Sequence, residues 1–273
     1  MKLIINIVAA SALLCQACRA SGPGQLQVEE TEAVLNHAYT NYSDWRREHH
    51  FVYKWSLRNI RPPRSVRIKT LLTTRPHLNL LNTDQLRVTV RQPLGRTLSW
   101  GLPLMTSDGV IYSDTEKTLC LNDAEHDTVN LEDVQITVVV STMSHNPLQF
   151  ELKMTEVQQF SVGVNALNQV YNVKPGSPEV RFVALNGAPK DSLLQVKVTS
   201  GNDVCALISI QPFTCPVLDT EETVRSRGSY QTISHLAAFN FKRKDAFEES
   251  EFPIIRIICK AEFYFLLQTE VCN

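Results

Sequence analysis

The segment QVKVTSGNDVCALISIQPFTCPV, residues 195–217, carries the clearest strand pattern in this chain of 273 residues. Val196 and Val198 alternate with polar neighbours, which is the period of two that a half-buried strand shows. Serine, glycine, asparagine and aspartate follow at 200–203, and turns prefer these residues. A second strand is apolar at its even positions and ends at Pro212, because proline has no N–H to donate to a sheet. We therefore predict two strands joined by a turn, in the core of a β domain.

Similar short strands, separated by proline and glycine, recur along the chain, and no segment keeps a helical period. The predicted strands lie at 50–57, 66–72, 85–90, 96–102, 134–140, 150–156, 160–166, 170–173, 180–184, 193–200, 206–210, 237–241 and 252–258. This spacing is typical of β-sandwiches, and the length suits two domains of ordinary size. We predict an all-β fold of two tandem antiparallel β-sandwich, jelly-roll-like domains, at residues 25–159 and 160–273.

The first twenty residues have the composition of a signal peptide. Lys2 precedes an apolar run at 3–14, and small residues follow this run up to Ala20. A membrane anchor would need about 18 to 20 apolar residues, so this run is too short to be one. No later segment is predicted to span a bilayer, since even the apolar tail at 254–267 is interrupted by Arg256, Lys260 and Glu262. We expect residues 1–20 to be removed in the secretory pathway.

Six blocks of sequence, taken in order, resemble one family of membrane proteins. The blocks are VTVRQPLGRTLSWGLPL at 88–104, EKTLC at 116–120, VSTMSHNPLQFELKM at 140–154, VKVTSGNDVCALISIQPFTCPVLD at 196–219, GSYQT at 228–232 and FKRKDAF at 241–247. Together they resemble the extracellular region of the systemic RNA-interference-defective (SID-type) transmembrane family, the transporters of double-stranded RNA and cholesterol. Blocks that keep the family's order over most of the chain are far more specific than a single motif.

The resemblance implies an ectodomain that lies outside the cell or in the endosomal or lysosomal lumen. Its implied partners are double-stranded RNA and, through the family's transmembrane core, cholesterol or a membrane; assembly into a homo-oligomer is left open. That core is absent from this sequence, and FYFLLQTEVCN at 263–273 does not continue the family pattern. A truncation, an alternative splice end and a shed ectodomain all remain compatible with this tail.

Cysteines and one sequon indicate the modifications of a secreted chain. Five cysteines remain after residue 20, which is an odd number, so one of them must be free or must pair between chains. The resemblance implies that Cys120, Cys205 and Cys215 are bridged in an oxidising compartment, and we expect the unpaired thiol at Cys259 or Cys272. Asn41 starts an Asn-Tyr-Ser sequon, which usually marks exposed backbone, so we predict glycosylation there.

Charge is distributed unevenly although the net charge is only −1. Residues 45–100 contain twelve basic and two acidic residues, whereas residues 106–156 contain two basic and ten acidic residues. One interpretation is that the two segments form neighbouring strands that neutralise each other. The other is a phosphate-binding face built from Arg58, Arg61, Arg64, Arg67 and Lys69, with a second patch at Lys242, Arg243 and Lys244. Such a face suits duplex RNA, which offers shape, phosphates and 2′-hydroxyls.

The sequence shows no arrangement of residues that indicates catalysis, and we predict no enzyme activity, cofactor or metal site. It contains no GxSxG, HExxH or P-loop motif, and the doublet His49-His50 is interpreted as a chance surface pair. The acidic cluster at 123–127 lacks the register of an EF-hand and is interpreted as a solvated loop. We predict a protein that binds double-stranded RNA without sequence preference and more tightly at acidic pH, because histidines at 49, 50 and 77 lie in the basic segment. The alternatives are an adhesion or receptor ectodomain and a scaffold for a cholesterol transporter.

Overall fold

A computed structural model of the chain describes residues 25–55, 65–74, 85–92, 97–106, 109–120, 134–157, 160–163, 169–185, 189, 191–212, 229–242, 253–259 and 263–272. Strands make up most of this part of the chain, and the predicted all-β fold is confirmed. Within the same residues there is no helix long and apolar enough to cross a membrane.

The strands follow one another at short intervals. Those before residue 157 are β1 (Gln27–Ala33), β2 (Ala38–Ser43), β3 (Arg47–Trp55), β4 (Ser65–Leu72), β5 (Leu86–Arg91), β6 (Thr97–Leu102), β7 (Leu104–Met105), β8 (Ile111–Tyr112), β9 (Asp114–Cys120), β10 (Val134–Thr142) and β11 (Leu148–Glu156). Those after residue 160 are β12 (Ser161–Gly163), β13 (Gln169–Val173), β14 (Glu179–Ala184), β15 (Leu193–Ser200), β16 (Ala206–Pro212), β17 (Ser229–Ile233), β18 (Leu236–Lys242), β19 (Pro253–Cys259) and β20 (Phe263–Cys272).

The strands of the first group form two sheets that share one core. The five-stranded sheet has the order β1-β3-β10-β5-β6, and the four-stranded sheet has the order β2-β11-β4-β9. Phe51 of the first sheet and Phe150 of the second sheet are buried, with ring centroids 6.2 Å apart. Val88, Val138 and Ile68 belong to the same apolar cluster. Two sheets that bury one core between their inner faces have the arrangement of a β-sandwich.

The second group repeats this arrangement. Its five-stranded sheet has the order β12-β14-β19-β16-β17, and its four-stranded sheet has the order β13-β20-β15-β18. Ile208 and Ile257 of one sheet share a core with Val196, Phe265 and Leu267 of the other. The two topologies correspond strand by strand, with β12 in the place of β1 and β20 in the place of β11; the β7–β8 hairpin has no counterpart among the described strands of the second group.

Each group departs from the antiparallel prediction at one place. β1 pairs with β3 in parallel, and β12 pairs with β14 in parallel, whereas the other strand pairs are antiparallel. The physical reason lies in the path of the chain. It crosses to the opposite sheet between these two strands, at β2 or at β13, and therefore returns beside its starting strand in the same direction.

The predicted strands are all present, and the sequence missed others. β9 and β20 had not been predicted, although β20 lies in the middle of its sheet between β13 and β15. The tail at 263–273, which departs from the family pattern, therefore completes the second core: Phe265 and Leu267 are buried.

The border between residues 159 and 160 stays a prediction, and it falls between β11 and β12.

Candidate nucleic-acid interface

Two of the predicted RNA-binding residues lie on β4, and the strands beside β4 carry acidic residues. β4 pairs with β9, which places Lys69 opposite Glu116. On its other side β4 pairs with β11, which places Lys69 opposite the like-charged Lys153 and Leu71 opposite Glu151, so the neutralising contact lies on the β9 side. β4 belongs to the basic segment at 45–100, whereas β9 and β11 belong to the acidic segment at 106–156. This pairing supports the interpretation in which the two segments neutralise each other.

Two carboxylates and one carbonyl hold the guanidinium of Arg67. Its Nε lies 2.9 Å from Glu116 Oε2, its Nη1 lies 3.0 Å from Glu179 Oε2, and its Nη2 donates to the carbonyl of Pro178 at 3.2 Å. Only 17% of the Arg67 side chain and 5% of the Glu179 side chain are exposed. Charges buried to this extent are costly unless they are paired. The contacts of Nη1 and Nη2 are charge-assisted hydrogen bonds, whereas the contact of Nε with Glu116 is an ion pair without hydrogen-bond geometry. In this structure Arg67 therefore links the first pair of sheets to the second.

The residues that Arg67 contacts continue into the turn between β13 and β14, which packs against β9. The backbone N–H of Glu116 lies 2.9 Å from the Ser177 hydroxyl, to which it donates, and 3.3 Å from the carbonyl of Gly176. Lys174 forms an ion pair with Asp114. Together these contacts attach the turn to the outer side of β9.

Glycine is required at the tip of this turn. Gly176 has φ = +77°, a left-handed conformation that L side chains rarely adopt. A Cβ atom at this position would lie 3.0 Å from side-chain atoms of Leu104 and of Thr115. The absence of a side chain therefore permits the close approach of the turn to the first pair of sheets.

The remaining predicted RNA-binding residues are not brought together in the described part of the chain. Lys69 is 46% exposed, and its Nζ lies 3.8 Å from Glu116 Oε1. Lys242 is exposed at the end of β18, on the four-stranded sheet of the second group. Arg58, Arg61, Arg64, Arg243 and Lys244 lie outside the described residues.

Two arginines where β2 turns into β3 were not among the predicted RNA-binding residues. The Arg46 guanidinium carbon lies 4.4 Å from the ring centroid of Trp45, and the Arg47 guanidinium carbon lies 4.4 Å from the ring centroid of Tyr42. A hydrogen bond with Tyr42 raises the pKa of Arg47 above its ordinary value. Cations at this distance are attracted to the face of the ring. The run YSDWRR at 42–47, in which aromatic and basic residues alternate closely, could have indicated this cluster.

The two histidines of the doublet lie on opposite faces of β3, so the interpretation as a surface pair is wrong for His49. His49 is only 1% exposed; its Nε2 lies 2.9 Å from the carbonyl of Tyr42 and its Nδ1 lies 3.3 Å from Asn41 Nδ2. A Nε2–H tautomer satisfies both contacts, since that nitrogen then donates and Nδ1 accepts. His50 is half-buried and bonded to Glu48 at 2.5 Å. Both rings are therefore engaged in contacts within the protein. His77 lies outside the described residues.

The predicted modification sites have mixed surroundings. Asn41 is half-buried and lies opposite the buried Phe150, so its side chain points to the inner face of an edge strand. Glycosylation of Asn41 stays a prediction. A glycan on its Nδ2 atom would have to be accommodated beside His49, whose Nδ1 lies 3.3 Å away. Cys205 is exposed and has no bridge to another cysteine among the described residues, so the bridge predicted for it stays a prediction. Cys215 and the side chain of Cys120 lie outside the described residues, so their bridges stay predictions.

No set of three or more histidine, cysteine, aspartate or glutamate residues is placed to hold a metal ion among the described ranges. The acidic cluster at 123–127 lies outside these ranges.

Comparison with known proteins shows which family this chain is similar to. Residues 181–262 match the family model of the dsRNA-gated channel SID-1. SID1 transmembrane family member 1 of Mus musculus is 29% identical over 181 residues, which is 65% of this chain and 21% of that protein. The predicted relationship to the SID-type transmembrane family is confirmed. The Homo sapiens protein of the same description has the same identity and coverage, so this chain spans about a fifth of the length of these SID-type relatives.

A solved structure adds nothing to this relationship. The insecticidal delta-endotoxin Cry8Ea1 from Bacillus thuringiensis is 7% identical, with 77% of this chain and 52% of that chain covered and a TM-score of 0.19. A score this low supports no conclusion about this chain.

Proposed function

We propose that this chain forms the extracellular or lumenal part of a SID-type protein and binds double-stranded RNA for transport across a membrane. The observation that carries the proposal is the match of residues 181–262 to a family described as a dsRNA-gated channel. The relatives extend over the first group of strands as well, since the matched length exceeds that of the second group. The chain acts by binding, and transport itself requires parts of the relatives that lie outside the match.

The proposed contact surface is basic, and we expect it to contact the RNA backbone and not the base edges. It consists of the arginines at 58, 61 and 64 with the half-exposed Lys69, and of the second patch at 242–244. Arginine and lysine side chains neutralise phosphates, whereas the deep, narrow major groove of an RNA duplex is closed to side chains. We expect contacts to the RNA backbone and no sequence preference. Arg67 is left out of this surface because its guanidinium is occupied by Glu116 and Glu179.

Acidification should strengthen this binding. Histidine side chains in general gain positive charge as the pH falls from about 7 to about 5, and added positive charge attracts a polyanion. His37, His145 and His235 are exposed, whereas His49 is buried and is not placed to contact a polyanion directly.

The ionic contacts around Arg67 favour a second candidate function. In that alternative the chain is a scaffold of a cholesterol transporter, or an adhesion ectodomain, and its arginines serve internal salt bridges. Arg67, Glu116 and Glu179 show that at least one arginine of the basic segment has this role. The two candidates differ in whether the free protein binds RNA.

A binding titration distinguishes the two candidates. We expect the protein to bind an RNA duplex more tightly at pH 5 than at pH 7, with a slope of log affinity against log salt of about −4 if about five phosphates are neutralised. Charge reversal at Arg58, Arg61 and Arg64 should abolish most of this affinity. Lys54→Gln is the matched control, because Lys54 is already paired with the exposed Glu32 at 2.7 Å. A wild-type protein that ignores duplex RNA at both pH values would leave the scaffold as the better candidate.

A further inference from the structure

We propose that the turn between β2 and β3 forms a phosphate-binding site for duplex RNA, in which Arg46 and Arg47 are the ligands. The site rests on the proposed function and adds to it two contacts outside the basic surface named there. Its four residues, Tyr42, Trp45, Arg46 and Arg47, are called the arginine turn below.

Each guanidinium of the arginine turn is oriented by a ring. Arg46 lies over Trp45 and Arg47 lies over Tyr42, both with 4.4 Å between the guanidinium carbon and the ring centroid. A guanidinium near a ring face is held by that face, while the N–H groups at its edge are still able to donate. Those N–H groups match two oxygens of one phosphate, which an ammonium group cannot do.

The arginines of the arginine turn differ from Arg67 in their ionic partners. Among the described residues neither Arg46 nor Arg47 forms an ion pair with a carboxylate, in contrast to Arg67. Two of the nearby acids are engaged elsewhere. Asp44 Oδ1 accepts the backbone N–H of Arg46 at 2.8 Å, and Glu48 lies 2.5 Å from His50. Glu29 faces Nδ1 of His49 at 3.4 Å, which carries no proton in the Nε2–H tautomer, so Glu29 remains a nearby negative charge.

The backbone of the turn is fixed, so the two arginines start from defined positions. The Ser43 hydroxyl donates to the carbonyl of Arg47 at 2.6 Å, and the N–H of Arg47 donates to the carbonyl of Asp44 at 3.0 Å. The N–H of Trp45 donates to the carbonyl of Ser144 at 2.8 Å. Sites that are held by such surrounding contacts lose less entropy on binding.

The ring geometry favours a duplex over a single strand. Single-stranded RNA is bound by stacking its bases on aromatic side chains. In the arginine turn one face each of Trp45 and Tyr42 is covered by a guanidinium, and the Trp45 ring also contacts His145 edge-to-face at 5.2 Å. Phosphate contact through the guanidinium edges remains, and a duplex presents phosphates while its bases are paired.

Substitution of both arginines tests the site. We expect Arg46→Gln with Arg47→Gln to weaken binding of an RNA duplex about tenfold at low salt and to reduce the salt slope by about 2, one for each phosphate contact. Arg46→Lys with Arg47→Lys should restore the salt slope but bind less tightly than wild type, because lysine lacks the planar fork. Lys54→Gln, at the other end of β3, should bind as wild type does. Thermal unfolding of each variant checks that the fold is kept.

Three results would overturn the proposal. If the glutamine variant binds the duplex with wild-type affinity and slope while the variant at 58, 61 and 64 does not, the arginine turn is wrong and the proposed function stands. If the wild-type protein binds no duplex, both are wrong. If the glutamine variant loses binding to phosphatidylserine vesicles and keeps binding to RNA, the site belongs to a membrane surface. If the glutamine variant does not fold, the lysine variant is measured instead. Wild-type affinity of the lysine variant for the duplex would then show that the planar guanidinium is not needed, which contradicts the proposed site.

Discussion

Replacing Arg67 by glutamine should destabilise the protein by about 3 kcal/mol. Arg67 donates two hydrogen bonds, at 3.0 and 3.2 Å, and forms an ion pair at 2.9 Å, and its side chain is 17% exposed. A hydrogen bond to a charged group contributes about 1.5 to 3 kcal/mol, and breaking a buried ion pair costs about 3 to 5 kcal/mol. The lower end applies because Glu179 keeps a second cation: Arg181 Nη2 lies 2.6 Å from Glu179 Oε1. Glu116 is 27% exposed and gains water instead.

Urea unfolding of the two proteins measures this difference. The free energy of unfolding is obtained from the midpoint and the slope, and an unchanged slope shows that the same surface is exposed. Arg87→Gln is the matched control, because Arg87 is exposed on β5 and the same loss of charge should change the free energy of unfolding by less than about 0.5 kcal/mol.

A double-mutant cycle identifies the cause of the loss. Arg67→Gln and Glu179→Gln should couple by at least about 1 kcal/mol, since the two side chains are in contact and buried. A cost at Arg67 below about 1 kcal/mol, or no coupling to Glu179, would refute the inference that this pair joins the two groups of strands.

Three further predictions follow from single residues. Tyr53→Phe should stabilise the protein by about 1 kcal/mol, because the buried Tyr53 hydroxyl has no hydrogen-bond partner among the described residues. Burial also raises the pKa of Tyr53, so wild type should lose stability above about pH 10 more steeply than the phenylalanine variant in thermal unfolding; parallel curves would contradict this. Gly176→Ala should cost about 1 to 3 kcal/mol more than Gly109→Ala, which has the similar φ of +85° but no atom within 4 Å of the added Cβ, and equal costs in urea would be evidence against the packed turn. Cys205 should react with a maleimide in the native protein, as mass spectrometry would show, and protection from labelling would support the bridge that the sequence predicted.

Most of the strands could be predicted because their pattern is local. The alternation of Val196 and Val198 with polar residues, and the stop at Pro212, concern neighbours along one strand, and β15 and β16 lie where these patterns predicted them. β20 was missed because its apolar residues were judged as a tail. Its place between β13 and β15 depends on residues about a hundred and about seventy positions away in sequence, which no local pattern contains.

The all-β class, the resemblance to the SID-type family and the uneven charge could be read from the amino-acid sequence, because composition, period and ordered blocks are properties of the chain alone. How the charges are used depends on the folded arrangement. Arg67 looked like its neighbours at 58, 61 and 64 until β9 and the β13–β14 turn brought Glu116 and Glu179 to its guanidinium. Coulomb energy falls with distance and rises with burial, so an arginine's role depends on partners that folding places beside it. Folding likewise places the ring of Trp45 beside Arg46, whereas it places two carboxylates beside Arg67.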